Sequence, residues 1–272
     1  MRLGGPVVFN DPEEWVREHR RFGYTAASCP EHLTLDQSEE IEVYRRAAAA
    51  AGLIIAEAGA WSNPLSSNES TRKSAIAYCQ QQLALAEEIG AQCCVNITGS
   101  RGEKFDGPDP NNFSNETFQL IVDSVREIID AVKPKRTFYT LETMPWIFPS
   151  SADEYVRLIQ AIDRPEFAVH LDPVNMVNSP QIYYNTTDLL TECFNKLGPY
   201  IKCCHAKDIL LSDKLTVHLS EVRPGLGILD YHHFLKLLRA QNREIPLMIE
   251  HLESAEEYQL AAKYILGIEN QL

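Results

Sequence analysis

FAVHLD, residues 167–172, alternates Ala168, His170 and Asp172 with Phe167, Val169 and Leu171. One face of such a strand is small or polar and the other is bulky and apolar. A strand with so apolar an outer face needs helices to cover it. The same design recurs in TFYTLE (137–142), where Phe138, Thr140 and Glu142 oppose Tyr139 and Leu141. In PLMIE (246–250) Met248 and Glu250 oppose Leu247 and Ile249, and IKCCH (201–205) groups Ile201 and Cys203 with His205. Each run closes on a polar residue, then gives way to a loop and a helical pattern.

Working outward, further strands are expected at 2–5, 24–29, 53–57 and 93–98. Helices are expected at 12–22, 38–51, 69–90, 113–133, 151–163, 186–198, 230–241 and 254–268. Strict alternation calls for a parallel sheet with crossover helices. Eight such units point to a (β/α)8 TIM barrel, with 1–272 as a single domain and no linker dividing it. The short, glycine-rich RLGG (2–5) is the weakest strand, and an open doubly wound sheet is the competing arrangement. Capping-box patterns beginning at Asp11, Asp36, Ser66, Ser151 and Ser254 mark five loop–helix junctions.

Composition narrows the function. The 25 basic and 38 acidic residues give a net charge of −13, which disfavours nucleic acid or an anionic membrane as partner. No stretch approaches the roughly 18 uncharged apolar residues of a membrane span. The N-terminal MRLGGPVVFNDPEEW lacks the apolar core of a secretory signal, so a cytoplasmic location is expected. The seven cysteines include the adjacent pairs Cys93-Cys94 and Cys203-Cys204 and form no CxxC motif. Neighbours on a strand face opposite ways, so reduced, buried thiols are expected.

Side chains at the C-terminal strand ends of a barrel share one mouth. Glu142, Asp172, His205 and Glu250 would therefore meet there. Two carboxylates about 4 Å apart repel by roughly 4 kcal/mol at an effective dielectric near 20. The acids must take up protons or surround a cation. Three oxygen ligands and an imidazole suit one divalent ion, Mn²⁺ or Mg²⁺ first, with Co²⁺, Fe²⁺ or Zn²⁺ also compatible. Such an ion, chelated by a carbonyl and a neighbouring hydroxyl, acidifies the carbon between them and stabilises the enediolate. Carboxylates left beside such an ion would supply an acid/base pair.

At LETMPW (141–146), HLDPVNM (170–176), CHAKD (204–208), PGLGILDY (224–231) and MIEHL (248–252) the chain resembles the xylose isomerase-like barrel family of sugar isomerases and epimerases. AEAGAWSNPLS (56–66) extends the resemblance over nearly the whole chain. It implies Glu142, Asp172, His205 and Glu250 as metal ligands and Glu142 and Glu250 as the acid/base pair. It also implies a small sugar, sugar-phosphate or keto-polyol substrate; a homo-oligomer is compatible with it. Ketose 3-epimerases of this family resemble one another in a histidine three residues after the liganding aspartate, where this chain has Asn175. An amide hydrogen-bonds but does not titrate, which leaves room for a 2-keto-inositol dehydratase or a hydroxypyruvate-type isomerase. A non-catalytic sugar-binding barrel and an abasic-site endonuclease are the readings from other classes. The endonuclease would need a histidine-rich multi-metal cluster and a basic surface.

Further substrate contacts are expected from Asn175, Lys207, Trp61, His170 and Arg223. Three have a plainer reading: Lys207 as a solvated loop residue, His170 as a satisfied core histidine, and the glycines after Arg223 as a simple turn into the next helix.

Overall fold

The computed structural model describes residues 1–241 and 244–272. Its strands are β1 (Arg2–Gly4), β2 (Ala26–Ser28), β3 (Ile54–Gly59), β4 (Cys93–Asn96), β5 (Phe138–Glu142), β6 (Phe167–Leu171), β7 (Ile201–Ala206), β8 (Asp208–Ser212), β9 (His218–Val222) and β10 (Pro246–Ile249). The helices are α1 (Pro12–Arg21), α2 (Ser38–Ala51), α3 (Glu69–Ile89), α4 (Asn115–Val132), α5 (Ala152–Ile162), α6 (Pro180–Tyr183), α7 (Thr186–Leu197), α8 (Tyr231–Arg239) and α9 (Ala255–Glu269).

Eight strands pair in parallel in the order β1-β10-β7-β6-β5-β4-β3-β2. The Thr25 amide donates to the Leu3 carbonyl at 2.8 Å, drawing the two edges together. The result is a (β/α)8 barrel. Glycine in the first strand has a packing reason: a Cβ on Gly4 would lie 2.5 Å from Met248 Sδ and 2.6 Å from the Ala26 carbonyl. Close approach of the neighbouring strands on either side, not strand propensity, selects glycine there.

The core divides as period-two alternation requires. Tyr139, Leu141, Val169, Leu171, Leu247 and Ile249 pack outward in the layer shared with the helices. Inside the barrel lies a small cluster of Ala26, Ala56, Cys93, Cys203 and Met248. Ile201, expected inside with Cys203, instead joins the outer layer. Val169 pairs with Ile201 but His170 pairs with Cys203, so the register shifts between them and breaks the alternation. A second shift separates the pairs Ala27–Ile55 and Ser28–Glu57.

Caps correct the expected boxes in detail. Asp11, Ser151 and Ser254 accept from the amides of Glu14, Glu154 and Glu257, as expected. The glutamates do not close the box: Glu154 reaches the Ser150 amide, while Glu14 and Glu257 pair with Arg17 and Arg223. Helix α3 is capped by Asn68 rather than Ser66, and α2 starts after Gln37 with no side-chain cap. The segment expected as a long loop after β7 contains the antiparallel hairpin β8–β9. All seven cysteines are unpaired and buried. Among the described residues no helix is long and apolar enough to cross a membrane.

Candidate active site

Strand ends deliver the four expected polar groups to one place. Glu142 closes β5, Asp172 and Glu250 directly follow β6 and β10, and His205 lies near the end of β7. Thr143 stitches the first two ends together: its hydroxyl donates to the Asp172 carbonyl at 2.6 Å and accepts from the Asp172 amide at 3.2 Å. One atom from each of Glu142, Asp172, His205 and Glu250 falls within 4.8 Å of all the others. His205 Nδ1 is 2.8 Å from Glu250 Oε1, 3.2 Å from Glu142 Oε1 and 3.9 Å from Asp172 Oδ2.

Lys207 enters this group as a buried cation, not a solvated loop residue. Its Nζ lies 2.6 Å from Glu250 Oε1, 2.8 Å from Asp172 Oδ2 and 3.5 Å from Glu142 Oε1. The Tyr231 hydroxyl donates to the Lys207 carbonyl at 2.7 Å, fixing the backbone beneath it. Burial pushes the Asp172 carboxyl up, and despite Lys207 the neighbouring Glu142 and Glu250 help hold it at about 6. Burial also opposes charge on Glu142, yet His205 and Lys207 outweigh it and keep that carboxyl well below its usual range. For His205 burial works against protonation, but Glu250 and Glu142 raise its affinity for a proton well above the usual value.

These groups fit a divalent cation. Asp172 Oδ2, His205 Nδ1 and Glu250 Oε1 are buried without a hydrogen-bond partner. Their short contacts with one another and with Lys207 are contacts between charged groups rather than aligned hydrogen bonds. Three carboxylates and one ammonium sum to −2 with a neutral imidazole, the charge a divalent ion cancels. The donor set of oxygens and one ring nitrogen suits a hard or borderline metal.

Glu57 joins the site although the sequence reading passed over it. Its Oε2 accepts from His170 Nε2 at 2.7 Å, with Cys203 Sγ at 3.5 Å and His205 Nε2 at 3.6 Å; the Ser28 hydroxyl donates to its Oε1 at 3.3 Å. Burial raises this carboxyl, but the two histidines outweigh it and hold it well below the ordinary range. Strict alternation after Ile55 would send Glu57 toward the helices. The register shift at that point turns it inward. Glu57 also ends a short apolar run, the signal that picked out the other acids.

A cavity of about 540 Å³ opens above these groups, within the roughly 300–1,000 Å³ common for small-molecule sites. Glu142, Glu250, Asn175, Lys207 and Trp61 line it. The Asn175 amide donates to Glu142 Oε1 and to the Thr143 carbonyl, both at 3.0 Å. His170 is fully buried and meets the cavity only through Glu57. Arg223 is not among the lining residues; its guanidinium pairs with Glu257 at 2.8 Å. The plainer turn reading describes its loop, because the amides of Gly225 and Gly227 donate to buried Asp208 at 3.0 Å. Trp146, left unassigned by the sequence, lines the mouth, and its indole N–H donates to the Asp106 carbonyl at 2.9 Å. His251 at the rim adopts φ +57°, a strained value for a non-glycine residue and one often kept at functional sites.

Comparison with known proteins agrees with this architecture. The family described as "Xylose isomerase-like TIM barrel" matches residues 16–267. A curated relative, "Probable endonuclease 4" of Persephonella marina, is 22% identical over 231 residues, covering 81% of this chain and 77% of its own. Endonuclease IV from Thermus thermophilus superposes with a TM-score of 0.74 at 13% identity, with full coverage of both chains. A 3-keto-D-glucoside 4-epimerase from E. coli gives 0.72 at 16% identity, covering 99% of each chain. A xylose isomerase-like barrel from Mycobacterium smegmatis, solved with magnesium, gives 0.68 at 17%, covering 95% of this chain and 88% of its own. At these identities the structural likenesses establish the fold alone.

Proposed function

Because this chain belongs to the xylose isomerase-like TIM barrel family, we propose that it is a divalent-metal-dependent isomerase or epimerase of a small keto sugar or keto polyol. Glu142, Asp172, His205 and Glu250 would hold one ion, Mn²⁺ or Mg²⁺ first. Such an ion supplies Lewis acidity to a carbonyl and its adjacent hydroxyl. Glu142 and Glu250 then divide the proton transfers, one removing the proton beside the carbonyl and the other returning one. Return to the opposite face of the same carbon inverts it, and return to the neighbouring carbon isomerises. Asn175 orients the Glu142 carboxylate through its amide, and Lys207 balances charge that develops on oxygen.

The observation that carries this reading is the convergence of one donor atom from each of Glu142, Asp172, His205 and Glu250 within 4.8 Å of one another. An endonuclease reading draws on the curated relative. Against it stand an acidic cavity mouth and a net charge of −13. Phosphodiester binding needs cationic surface. A dehydratase acting on a 2-keto-inositol would use the same glutamates to expel water, and product analysis separates it. Unpaired buried thiols favour the cytoplasm as the compartment.

Incubation of Mn²⁺-loaded protein with ketoses, inososes and hydroxypyruvate in deuterated water tests the proposal. Deuterium should enter at a carbon beside the carbonyl and should be lost in Glu142→Gln and Glu250→Gln. Exchange that survives both substitutions would remove Glu142 and Glu250 from the proton transfers, and no exchange with any compound would overturn the proposal in favour of a sugar-binding barrel.

A further inference from the structure

Resting on the proposed proton-transfer reading, we infer that the substrate is uncharged: a free keto sugar or keto polyol bearing neither phosphate nor carboxylate. Six carboxylates line the cavity, from Glu31, Glu57, Asp106, Glu142, Glu221 and Glu250, against two basic side chains, Lys207 and His251. Both bases already face acids. Lys207 lies within 3.5 Å of four carboxylates, those of Glu142, Asp172, Glu221 and Glu250. His251 Nδ1 is 3.1 Å from Glu221. Once a divalent ion balances the floor, the walls remain negative.

The glycine-rich loop after Arg223, whose amides could otherwise cradle an anion, is closed from within. Asp208 is buried at the base of the loop after β9, and its carboxylate accepts from the amides of Ile209, Gly225, Gly227 and Leu229 at 2.9–3.0 Å. Backbone N–H groups arranged in this way are what a phosphate uses. Here an internal carboxylate holds them. A Cβ at Gly227 would sit 2.3 Å from Asp208 Oδ1, so the loop packs directly on that side chain. Arg223, the guanidinium of the same loop, is turned to Glu257.

Hydrogen-bond chemistry points the same way. Ionised carboxylates only accept, so they match the hydroxyls of a sugar, which donate. A phosphate dianion also only accepts and finds repulsion instead of partners. Trp61, Phe105 and Trp146 also line the mouth and are partly exposed, and Met144 lines it with them. Aromatic faces there suit the C–H face of a neutral ring better than a solvated anion.

The test uses the full-length chain with Mg²⁺ in excess over any ligand, and follows quenching of tryptophan fluorescence. Fructose is compared with fructose 6-phosphate, a free ketopentose with its phosphate ester, and an inosose with hydroxypyruvate. One uncompensated like charge about 8 Å away at an effective dielectric near 20 corresponds to about 30-fold in affinity. Each anionic compound should bind at least that much more weakly than an uncharged one, and added salt or Glu31→Gln should narrow the gap. A phosphate ester that binds as well as its parent sugar, or the absence of binding by every uncharged compound, overturns the inference. Deuterium exchange run in parallel separates the two readings. Uncharged ligands that bind without exchange support the charge inference and defeat proton transfer. Faster exchange on a phosphate ester than on its parent sugar keeps proton transfer and defeats the charge inference.

Discussion

Asp172 and Asp208 are both buried, and they follow the neighbouring barrel strands β6 and β7, yet they stand in opposite conditions. Asp208 has four backbone donors at 2.9–3.0 Å shared between its two oxygens. Asp172 has two, the amides of Val174 and Asn175, both on Oδ1, while Oδ2 has no hydrogen-bond partner. A satisfied buried carboxylate ties a loop to the fold. A half-satisfied one among other acids is a ligand in waiting, because the single Lys207 ammonium beside its free oxygen is shared with Glu142 and Glu250.

Removing the satisfied aspartate should do the greater damage to stability. Asp208→Ala leaves four amides without their acceptor, at about 1 kcal/mol or more each. A loss of at least about 3 kcal/mol is expected from denaturant unfolding of metal-free protein. A loss below 1 kcal/mol would mean that water replaces the carboxylate and that the loop is not tied by it.

Asp172→Asn should reverse the pattern. The asparagine oxygen can keep the amides of Val174 and Asn175, so metal-free stability should hold. Divalent-ion affinity should fall by more than the roughly 10–100-fold that loss of an outer partner costs, as read by Mn²⁺ titration. The carboxyl of Asp172 is raised to about 6 in the fold, against about 3.9 in an unfolded chain. Between those values the native state holds more protons, so this residue's contribution to stability falls as pH rises from about 4 to 6. The difference between wild type and Asp172→Asn should carry that slope; a flat difference would show that the two carboxyl conditions are alike.

Glu57 lies between the extremes, since its partners are side chains that themselves serve the site. Glu57→Gln weakens its hold on the His170–His205 pair. We expect ion affinity to drop by about 10–100-fold with little change in unfolding midpoint. A fall in stability with unchanged affinity would assign Glu57 to the fold alone.

His19 sharpens the rule by an exception far from the mouth. It is buried, its Nδ1 meets the Trp15 carbonyl at 2.7 Å, and Nε2 has no partner. Burial lowers its proton affinity despite that backbone contact. The unfolded chain therefore binds the proton first as pH falls below about 6.5, and stability drops with it. His19→Leu should flatten this acid limb and leave ion binding untouched. An orphaned polar atom signals function only where others converge on the same cavity.

Much of this was legible along the chain because it is local. Apolar alternation in 137–142, 167–172 and 246–250 fixed which side of each strand faces the lumen, and Glu142, Asp172 and Glu250 followed from it. Glu57 was hidden because its direction depends on how β3 registers against β2, a relation between segments that no periodicity within one segment contains. Ile201 was misplaced for the same reason on β7. Arg223 stood as a substrate contact because it precedes a glycine-rich loop at the mouth. Only the folded chain could bring Asp208, seventeen residues from Gly225 and nineteen from Gly227, into contact with their amides.

The order of strands and helices, the faces of most strands and the identity of the four convergent side chains are thus properties of the sequence, since propensity and period act within a few residues. Register shifts, the burial of Lys207 among acids and the sealing of the glycine loop belong to the tertiary structure. They arise where two distant segments compete for the same space and the same hydrogen bonds, and only packing decides which partner wins.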